Sequence, residues 1–235
     1  MRTFSNNDSI YIGREAGKEI HENIRNAKKS VKIVSPYLSP DYVKDLLKLH
    51  NKGVKITLIT CDKIETNDYS DLSTLDLVKK EKIINEKSTR LKKKIFKLFA
   101  WMFVFSILSA IPAFIFPMLF FLSGIFLLAS LISLIYSLSI SDYSYKYNPL
   151  FRIKVFDSHS GKKPYSTELI HSKIFIIDES VCFLGSANLT YSGFKTHYET
   201  AIKIQDARAI SDISEEVEML YASKELKAKS VEEWM

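Results

Sequence analysis

A histidine and a lysine two residues apart open the stretch of this chain best suited to chemistry. His171 and Lys173 lie in an alternating run rich in β-branched and aromatic residues, 171–177, which predicts a β-strand. Because side chains in a strand repeat every two residues, we expect the imidazole and the ammonium group on the same face. An imidazole beside an ammonium group is a pairing suited to binding phosphate.

The residues that follow extend this stretch into a hairpin. Asp178 begins a predicted turn, and residues 181–184 are typical of a returning strand. Gly185 and Ser186 then end the hairpin with small residues, which let a backbone approach a ligand closely. Asn188 adds a side-chain amide that can donate hydrogen bonds to phosphate oxygens.

The six positions together give the pattern H-x-K-x4-D-x6-G-S-x-N, which resembles the motif of the phospholipase D superfamily. Downstream, Glu199 falls where single-motif members carry a glutamate, such as the small bacterial endonuclease and the mitochondrial cardiolipin hydrolase types. The resemblance implies an α/β fold, a phospholipase D-like mixed sheet flanked by helices. The motif is highly specific for the superfamily and poorly specific for the substrate.

The resemblance also implies a role for each site residue. His171 is expected to be the nucleophile that forms a phosphohistidine, and Glu199 is expected to orient it. Lys173 and Asn188 are expected to hold the phosphoryl oxygens, with Ser186 assisting. These parts meet the needs of phosphodiester hydrolysis, namely a nucleophile, its orienting carboxylate and positive charge on the non-bridging oxygens.

Two motif residues are expected to be structural. Asp178 is assigned to positioning the hairpin and its neighbouring charges, and Gly185 to the close approach of the backbone. The sequence offers no cluster of histidine, cysteine and carboxylate residues with metal-ligand spacing, so no metal and no other cofactor is expected. Its two cysteines, Cys61 and Cys182, give no disulfide framework.

A single motif supplies one imidazole, whereas the leaving oxygen needs a separate acid. The resemblance implies the solution, because single-motif members pair as twofold dimers. His171 of a second copy is then expected to protonate the leaving group. The expected partner is therefore another copy of the same chain.

The sequence divides into four segments. Residues 1–78 have a β-α-β-α-β order and predict the first part of the phospholipase D-like domain. Residues 79–97 are rich in lysine and predict a basic juxtamembrane helix. Residues 98–141 contain no charged residue and predict a transmembrane helical hairpin. Residues 142–235 predict the rest of the domain, including the motif.

The apolar segment has about 44 residues, against about 20 for one crossing of a bilayer. We expect spans near 98–111 and 118–140, although a hairpin that dips in and returns, or one buried in a core, would also fit. A single crossing would separate strands that must join one sheet. By the positive-inside rule, the basic residues that precede the apolar segment predict that both ends of this segment lie in the cytoplasm. An integral protein of the cell membrane is therefore predicted.

Three functions remain open on these grounds. The formal charge of +6 and the pI near 9.1 favour anionic partners, either phospholipid or nucleic acid. The leading hypothesis is a membrane-anchored phosphodiesterase that hydrolyses phospholipid, with transfer to an alcohol instead of water still open. The alternative is an endonuclease that cleaves DNA or RNA, and the third hypothesis is a non-catalytic, anion-binding membrane scaffold.

Overall fold

The computed structural model of the chain describes residues 2–3, 8–62, 77–112, 115–157 and 170–234. The chain forms two compact units, of which one comprises Met1–Lys79 with Tyr147–Met235 and the other Lys80–Lys146. The second unit is therefore an insertion within the first. The first unit contains a nine-stranded sheet, and the second contains two long helices that pack against each other.

The strands of the described residues, in chain order, are β1 (Arg2–Thr3), β2 (Ser9–Gly13), β3 (Ser30–Val34), β4 (Lys55–Cys61), β5 (Val78–Ile84), β6 (Tyr143–Pro149), β7 (Arg152–Phe156), β8 (Ile174–Ile177), β9 (Val181–Gly185), β10 (Glu199–Ile204) and β11 (Ala228–Lys229). The helices are α1 (Glu15–Arg25), α2 (Pro40–Asn51), α3 (Glu86–Ala110), α4 (Met118–Ser139), α5 (Ala207–Ala222) and α6 (Val231–Trp234). A π-helical turn, Ser192–Thr196, follows the motif.

Nine of these strands form one mixed sheet in the order β1-β2-β10-β9-β8-β3-β4-β7-β11. Strand β3 pairs in parallel with β4, and β4 with β7, whereas the remaining pairs are antiparallel. The motif hairpin, β8 and β9, therefore lies in the middle of the sheet. This mixed sheet flanked by helices confirms the predicted fold class.

The two faces of the sheet pack against different helices. Ile33 and Phe175 point into a core shared with α1 and α2, while their neighbours Val34 and Ile176 point into a second core shared with α5. Alternate residues of one strand thus face opposite cores, as the two-residue period requires. Burial on both faces explains why these strands are almost continuously apolar.

The catalytic strand begins later than predicted. The run was expected to be a strand from His171 onward, but β8 begins at Ile174, and residues 171–173 are extended without regular pairing. Strand β3 ends at Val34, which pairs with Ile174, so the preceding residues lie beyond the end of their neighbour. His171 is consequently exposed at the edge of the sheet.

The predicted basic helix at 79–97 is wrong in its first part, because residues 78–84 form β5 and the helix begins at Glu86. The segment pairs with the tyrosine-rich β6 in a separate two-stranded sheet, the β5–β6 ribbon. Lys80 lies over the Tyr145 ring at 3.8 Å, and Lys82 over the Tyr143 ring at 4.0 Å. These cation–π contacts with a partner far along the sequence favour strand over helix.

The inserted unit contains a helical hairpin, α3 and α4. Only α4 is long and apolar enough to cross a membrane among the described residues. The first half of α3 is strongly basic, which leaves about 13 apolar residues, fewer than the about 20 that a crossing needs. The predicted pair of transmembrane spans is therefore not confirmed.

Candidate active site

His171 and Lys173 lie in direct contact at the edge of the central sheet. Lys173 Nζ is 3.1 Å from His171 Nδ1, and it donates a hydrogen bond of 2.7 Å to the His171 carbonyl oxygen. The extended backbone places both side chains on one face, as the two-residue spacing predicts. His171 is exposed, whereas Lys173 is only 6% exposed.

This contact fixes the position of the imidazole proton. A charged lysine is a hydrogen-bond donor and has no acceptor, so Nδ1 of a neutral His171 must accept the hydrogen bond. The proton of the neutral ring is then on Nε2. In that form Nε2 can donate a hydrogen bond, but protonation of a leaving oxygen requires an imidazolium, with both ring nitrogens protonated. Nucleophilic attack by Nε2 needs the opposite tautomer, with the proton on Nδ1 and an acceptor beside it.

The Lys173 ammonium is held in a site of low solvent access beside a carboxylate. Burial lowers the pKa of Lys173 from its usual range, and the negative charge of Glu199 acts in the opposite direction. The three residues His171, Lys173 and Glu199 therefore belong to one electrostatic cluster. The negative charge of a phosphate in this cluster would raise the pKa of Lys173 and so favour its charged form.

Glu199 begins β10 and is only 7% exposed. Its Oε2 accepts a short hydrogen bond from Ser186 Oγ, and Ser186 Oγ in turn accepts from the Thr200 backbone N–H at 3.0 Å. The Ser186 hydroxyl, which was expected to assist phosphate binding, is thus directed at Glu199. This cross-strand network locks the carboxylate in place without neutralising its charge.

Gly185 allows the two strands to approach closely enough for this network. A Cβ atom at Gly185 would lie 2.0 Å from the Thr200 carbonyl oxygen and 2.9 Å from Ala201 Cα. Both neighbours are backbone atoms of β10, so they cannot move aside cheaply. The expected structural role of this glycine is the close contact between β9 and β10.

Asn188 lies in the loop after β9, and two serines of the β3–α2 connection hold that loop. Ser35 Oγ accepts from the Leu189 N–H at 2.9 Å, and Ser39 Oγ accepts from the Tyr191 N–H at 2.9 Å. The Asn188 Oδ1 atom is buried and has no partner among the described residues. The Nδ2 group of Asn188 is the donor end of this amide.

Asp178 lies at the far end of β8 from His171. Its carboxylate accepts hydrogen bonds from the backbone N–H groups of Lys28, Lys29 and Ser30. Burial acts most strongly on the pKa of Asp178 and would raise it, but these three donors together lower it below its usual range. Asp178 thus ties the motif hairpin to the segment between α1 and β3, at the end of β8 opposite the cluster of His171, Lys173 and Glu199.

The expected contact between Glu199 and His171 is not made. Within the described part of the chain, the polar contacts of Glu199 go to Ser186 and to His197, whose Nδ1 is 3.7 Å from Oε1. The sequence analysis missed His197, as well as Ser35 and Ser39. The H-x-E spacing of His197 and Glu199 could have revealed the first, because residues two apart in an extended chain share a face.

In the described ranges no three His, Cys, Asp or Glu side chains are grouped as metal ligands would be. The cluster instead combines an exposed imidazole, a buried ammonium group and a buried carboxylate. Such a set can bind a phosphate group and transfer protons to and from it.

Solved structures with a similar fold include NucT from Helicobacter pylori, which is 17% identical over 92% of this chain and 96% of that one, with a TM-score of 0.52. Nuc from Salmonella typhimurium, a phospholipase D family member, is 13% identical over 94% and 98%, with a TM-score of 0.44. Phosphatidylserine synthase from Haemophilus influenzae Rd KW20 is 12% identical over 95% of this chain and 39% of that one, with a TM-score of 0.43. At this identity the likeness to NucT shows the fold alone.

The sequence comparisons give a family. No curated protein matches the chain at a significant level. The family described as "Cardiolipin synthase, PLD-like domain" matches residues 20–99 and 135–221, which is more than half of the chain. The unmatched interval falls within the helical hairpin, and the matched parts carry every motif residue. The chain therefore belongs to this phospholipase D-like family.

Proposed function

We propose that this protein is a membrane-anchored phosphodiesterase that hydrolyses phospholipid through a phosphohistidine on His171. The observation that carries the proposal is the contact of an exposed imidazole with the buried Lys173 ammonium, beside the Glu199 carboxylate. An anion that enters this cluster meets a positive charge and a nucleophile together.

The first step forms a bond between His171 Nε2 and phosphorus while the bond from phosphorus to the leaving oxygen breaks. The leaving oxygen takes a proton from Nε2 of a second His171. In the next step water attacks phosphorus, the phosphorus–nitrogen bond breaks, and the water proton returns to the second imidazole. The products are an alcohol and a phosphate monoester, so every proton is accounted for.

The two histidines must differ in charge: the nucleophile is neutral with its proton on Nδ1, and the acid is an imidazolium that becomes neutral when it gives up its Nε2 proton. A phosphate that binds Lys173 would draw the ammonium away from His171 Nδ1. That nitrogen could then carry the proton and donate it to Glu199, which frees Nε2 to attack. Asn188 Nδ2 would hold a second phosphoryl oxygen.

One chain contributes one motif, so the second His171 comes from an identical copy. A twofold dimer brings the same residue of both copies to the axis, and this is the arrangement the reaction needs. We therefore propose a homodimer with a shared pocket. A strict monomer would lack the acid for the leaving group.

Phospholipid is the substrate class favoured here, because the family description names a lipid enzyme and the chain contains an apolar hairpin. The hairpin would hold the catalytic unit beside the lipid, and the basic start of α3 favours the cytoplasmic side of the cell membrane for that unit. The alternative is an endonuclease acting on DNA or RNA, since a site that binds one phosphodiester can serve either substrate.

The deciding experiment offers cardiolipin, phosphatidylglycerol and single-stranded DNA side by side to purified wild type and His171→Ala. We expect release of headgroup or phosphatidate by wild type only, and a phosphohistidine that can be trapped on His171. Oligonucleotide products without lipid products would establish the nuclease instead. Identical behaviour of both proteins on all three substrates would support the third hypothesis, a non-catalytic, anion-binding membrane scaffold.

A further inference from the structure

We propose that α3 and α4 form a monotopic anchor: the hairpin enters an anionic bilayer from one side and returns to that side, and its tip stays inside the hydrocarbon. This inference rests on the membrane attachment in the proposed function, but not on the catalytic chemistry. It replaces the two full crossings predicted from the sequence. Four observations on residues 80–146 carry it.

The first observation is that the helix pair has its polar side inward. Along α4 the residues turned toward α3 recur every three or four positions and are mostly small: Leu119, Ser123, Phe126, Ser130, Ser133 and Ser137. Ser106 Oγ donates to the Ser123 carbonyl oxygen at 3.0 Å, and Ser123 Oγ donates to the Ser106 carbonyl oxygen at 2.9 Å. Small, hydrogen-bonding residues between helices are typical of packing in lipid.

The outer surface of the pair has the opposite character. Most of the large apolar side chains of α4 are exposed, among them Phe121, Ile125 and Leu138. A helix at the surface of a soluble protein turns its apolar stripe inward and its serines outward. This inverted arrangement is stable only where the surroundings are themselves apolar.

The second observation concerns depth. Ser106 contacts Ser123, and Ser137 contacts the Lys92 carbonyl oxygen, which fixes the antiparallel register of the two helices. In that register Leu98, the first residue after the basic segment, faces Leu131. Only about 14 residues of each helix are therefore apolar side by side, a length of about 20 Å. The hydrocarbon core of a bilayer is about 30 Å thick, so the paired helices do not reach its far side.

The third observation is the character of the tip. Between Ser109 and Ser123 the sequence contains no polar side chain. Ile115, Phe116 and Met118 are 76%, 63% and 85% exposed. A tip that crossed the bilayer would present these side chains to water or headgroups on the far side, whereas a tip in hydrocarbon keeps them in an apolar medium.

The backbone of the tip suits the same location. The N–H groups of Ile115 and Phe116 both donate to the Pro112 carbonyl oxygen at 3.0 Å. Pro112 and Pro117 have no N–H to satisfy. The backbone donors of Ile115 and Phe116 are therefore paired within the tip, as is required of chain in the hydrocarbon region.

The fourth observation is a basic collar, which we define as the outward residues Lys87, Arg90, Lys94 and Lys97 of α3 together with Lys80 and Lys82 of the β5–β6 ribbon. The four α3 residues lie along one helix face, and the exposed Trp101 comes next on the same face. Basic, then aromatic, then apolar side chains follow each other toward the tip. This is the order of charge and polarity found from anionic headgroups to hydrocarbon.

A bilayer fits these features better than a second copy of the chain. Apolar residues surround α4 on all sides except its contact with α3, and a single protein partner would cover one side. Two copies that met through this surface would also bring two basic collars together. Nucleic acid would match the collar but not the apolar tip. Anionic lipid matches both.

Cysteine labelling of the full chain tests the depth of the tip. Phe116→Cys and Lys146→Cys variants are bound to preformed vesicles of three parts phosphatidylcholine and one part phosphatidylglycerol, with an impermeant maleimide either outside or enclosed. We expect Cys at 116 to react with neither reagent until detergent is added, and Cys at 146 to react from outside. The native Cys61 and Cys182 are buried and provide the unlabelled background.

Three results would overturn the proposal. Reaction at position 116 with the enclosed reagent would show that the hairpin crosses the bilayer. Reaction with the outside reagent would show that the tip is not inserted. Protection in detergent-free buffer without vesicles would show that protein, such as a second copy, covers the tip.

A pair of substitutions that remove positive charge tests the collar separately. Lys80→Gln/Lys82→Gln should weaken binding to the anionic vesicles by roughly 20- to 30-fold and leave binding to pure phosphatidylcholine unchanged. Lys48→Gln/Lys52→Gln, at the C-terminal end of α2, is the matched control and should have no such effect. An equal loss on both vesicle types, or a loss seen only with single-stranded DNA, would refute the collar. Neither readout depends on turnover, so a failed phosphodiesterase assay would not affect them.

Discussion

Asp178 and Ser30 are joined by hydrogen bonds in both directions, although 148 residues separate them in the chain. The Ser30 N–H donates to the Asp178 carboxylate at 2.9 Å, and the Asp178 N–H donates to the Ser30 carbonyl oxygen at 2.8 Å. Asp178 has a φ of 53°, a left-handed conformation that Asp and Asn adopt more readily than most residues. The motif aspartate therefore fixes the turn of the β8–β9 hairpin on β3.

Replacement of this carboxylate should lower stability in a manner that depends on pH. Asp178→Asn keeps the turn and one acceptor but loses the charge, so we expect a loss of about 1 kcal/mol at pH 7. Because the folded pKa of Asp178 is lowered, its contribution is present above the unfolded pKa of about 4 and disappears as the pH falls through the folded value. Urea unfolding in one detergent at several pH values measures both effects.

Asp212→Asn, on the exposed face of α5, is the control for Asp178→Asn. It should change stability little at any pH. If Asp178→Asn were as stable as wild type at pH 7, the anchoring role of Asp178 would be wrong.

Lys173 should set an alkaline limit to activity. Its pKa lies below the ordinary lysine value because of burial, so the positive charge that holds phosphate is lost at a lower pH than for an exposed lysine. We expect the rate to fall with a midpoint below 10.5, the ordinary value. Lys173→Arg should abolish that alkaline fall while it retains some activity, since arginine stays charged. The measurement is the pH–rate profile of wild type and Lys173→Arg. If the rate of the arginine variant fell at the same alkaline pH as that of wild type, Lys173 would not be the group that sets this limit.

Gly185→Ala should separate β9 from β10. Its Cβ would lie 2.0 Å from the Thr200 carbonyl oxygen, so one strand must shift, at an expected cost of about 1–3 kcal/mol. The shift would also break the Ser186–Glu199 contact, and activity should fall more than stability alone explains. Gly124→Ala, in α4, has nothing within 4 Å of the added atom and should be tolerated. Thermal unfolding and turnover of both variants provide the comparison.

Glu199→Gln should leave the fold intact and remove most of the activity. The amide can still accept from Ser186, but it cannot take a proton from His171, so we expect a loss of about 10²–10⁴-fold in kcat. His197→Gln removes only a contact at an exposed side chain and should cost far less. Phosphohistidine formation in a single turnover distinguishes loss of the nucleophile from loss of binding. Equal effects of the two variants would place the orienting carboxylate elsewhere.

Turnover should survive chelators, because the proposed reaction uses imidazole, ammonium, amide and carboxylate side chains and no metal ion. We expect the same rate before and after dialysis against EDTA. Loss of activity that a divalent ion restores would count against the mechanism.

The sequence alone predicted much of the site, since the pattern ties residue type to local geometry. The contact of His171 with Lys173 follows from a spacing of two in extended chain, and the turn at Asp178 from its position between two strands. The Ser186–Glu199 contact could not be predicted in the same way, because it depends on the register of β9 against β10, in which Ala201 faces Gly185. Local patterns do not specify such long-range pairing.

The errors in the inserted unit have a similar cause. Charge density alone suggested a helix at 79–97, but its first part pairs with tyrosines some sixty positions later and forms a strand. The length of the apolar run suggested two crossings. That prediction is not confirmed, and the apolar length shared by the two helices depends on which part of α3 lies beside which part of α4, which follows only from contacts such as Ser106 with Ser123.

The β5–β6 ribbon makes the insertion separable from the enzyme. The Asn85 N–H donates to the Asp142 carbonyl oxygen at 2.9 Å, so the two ends of the helical hairpin already meet as neighbours on paired strands. A two-residue Asn-Gly turn could join them in place of residues 86–141. Such a shortened chain would keep all of its motif residues and dissolve without detergent. Catalysis and attachment could thus be gained or lost independently during evolution.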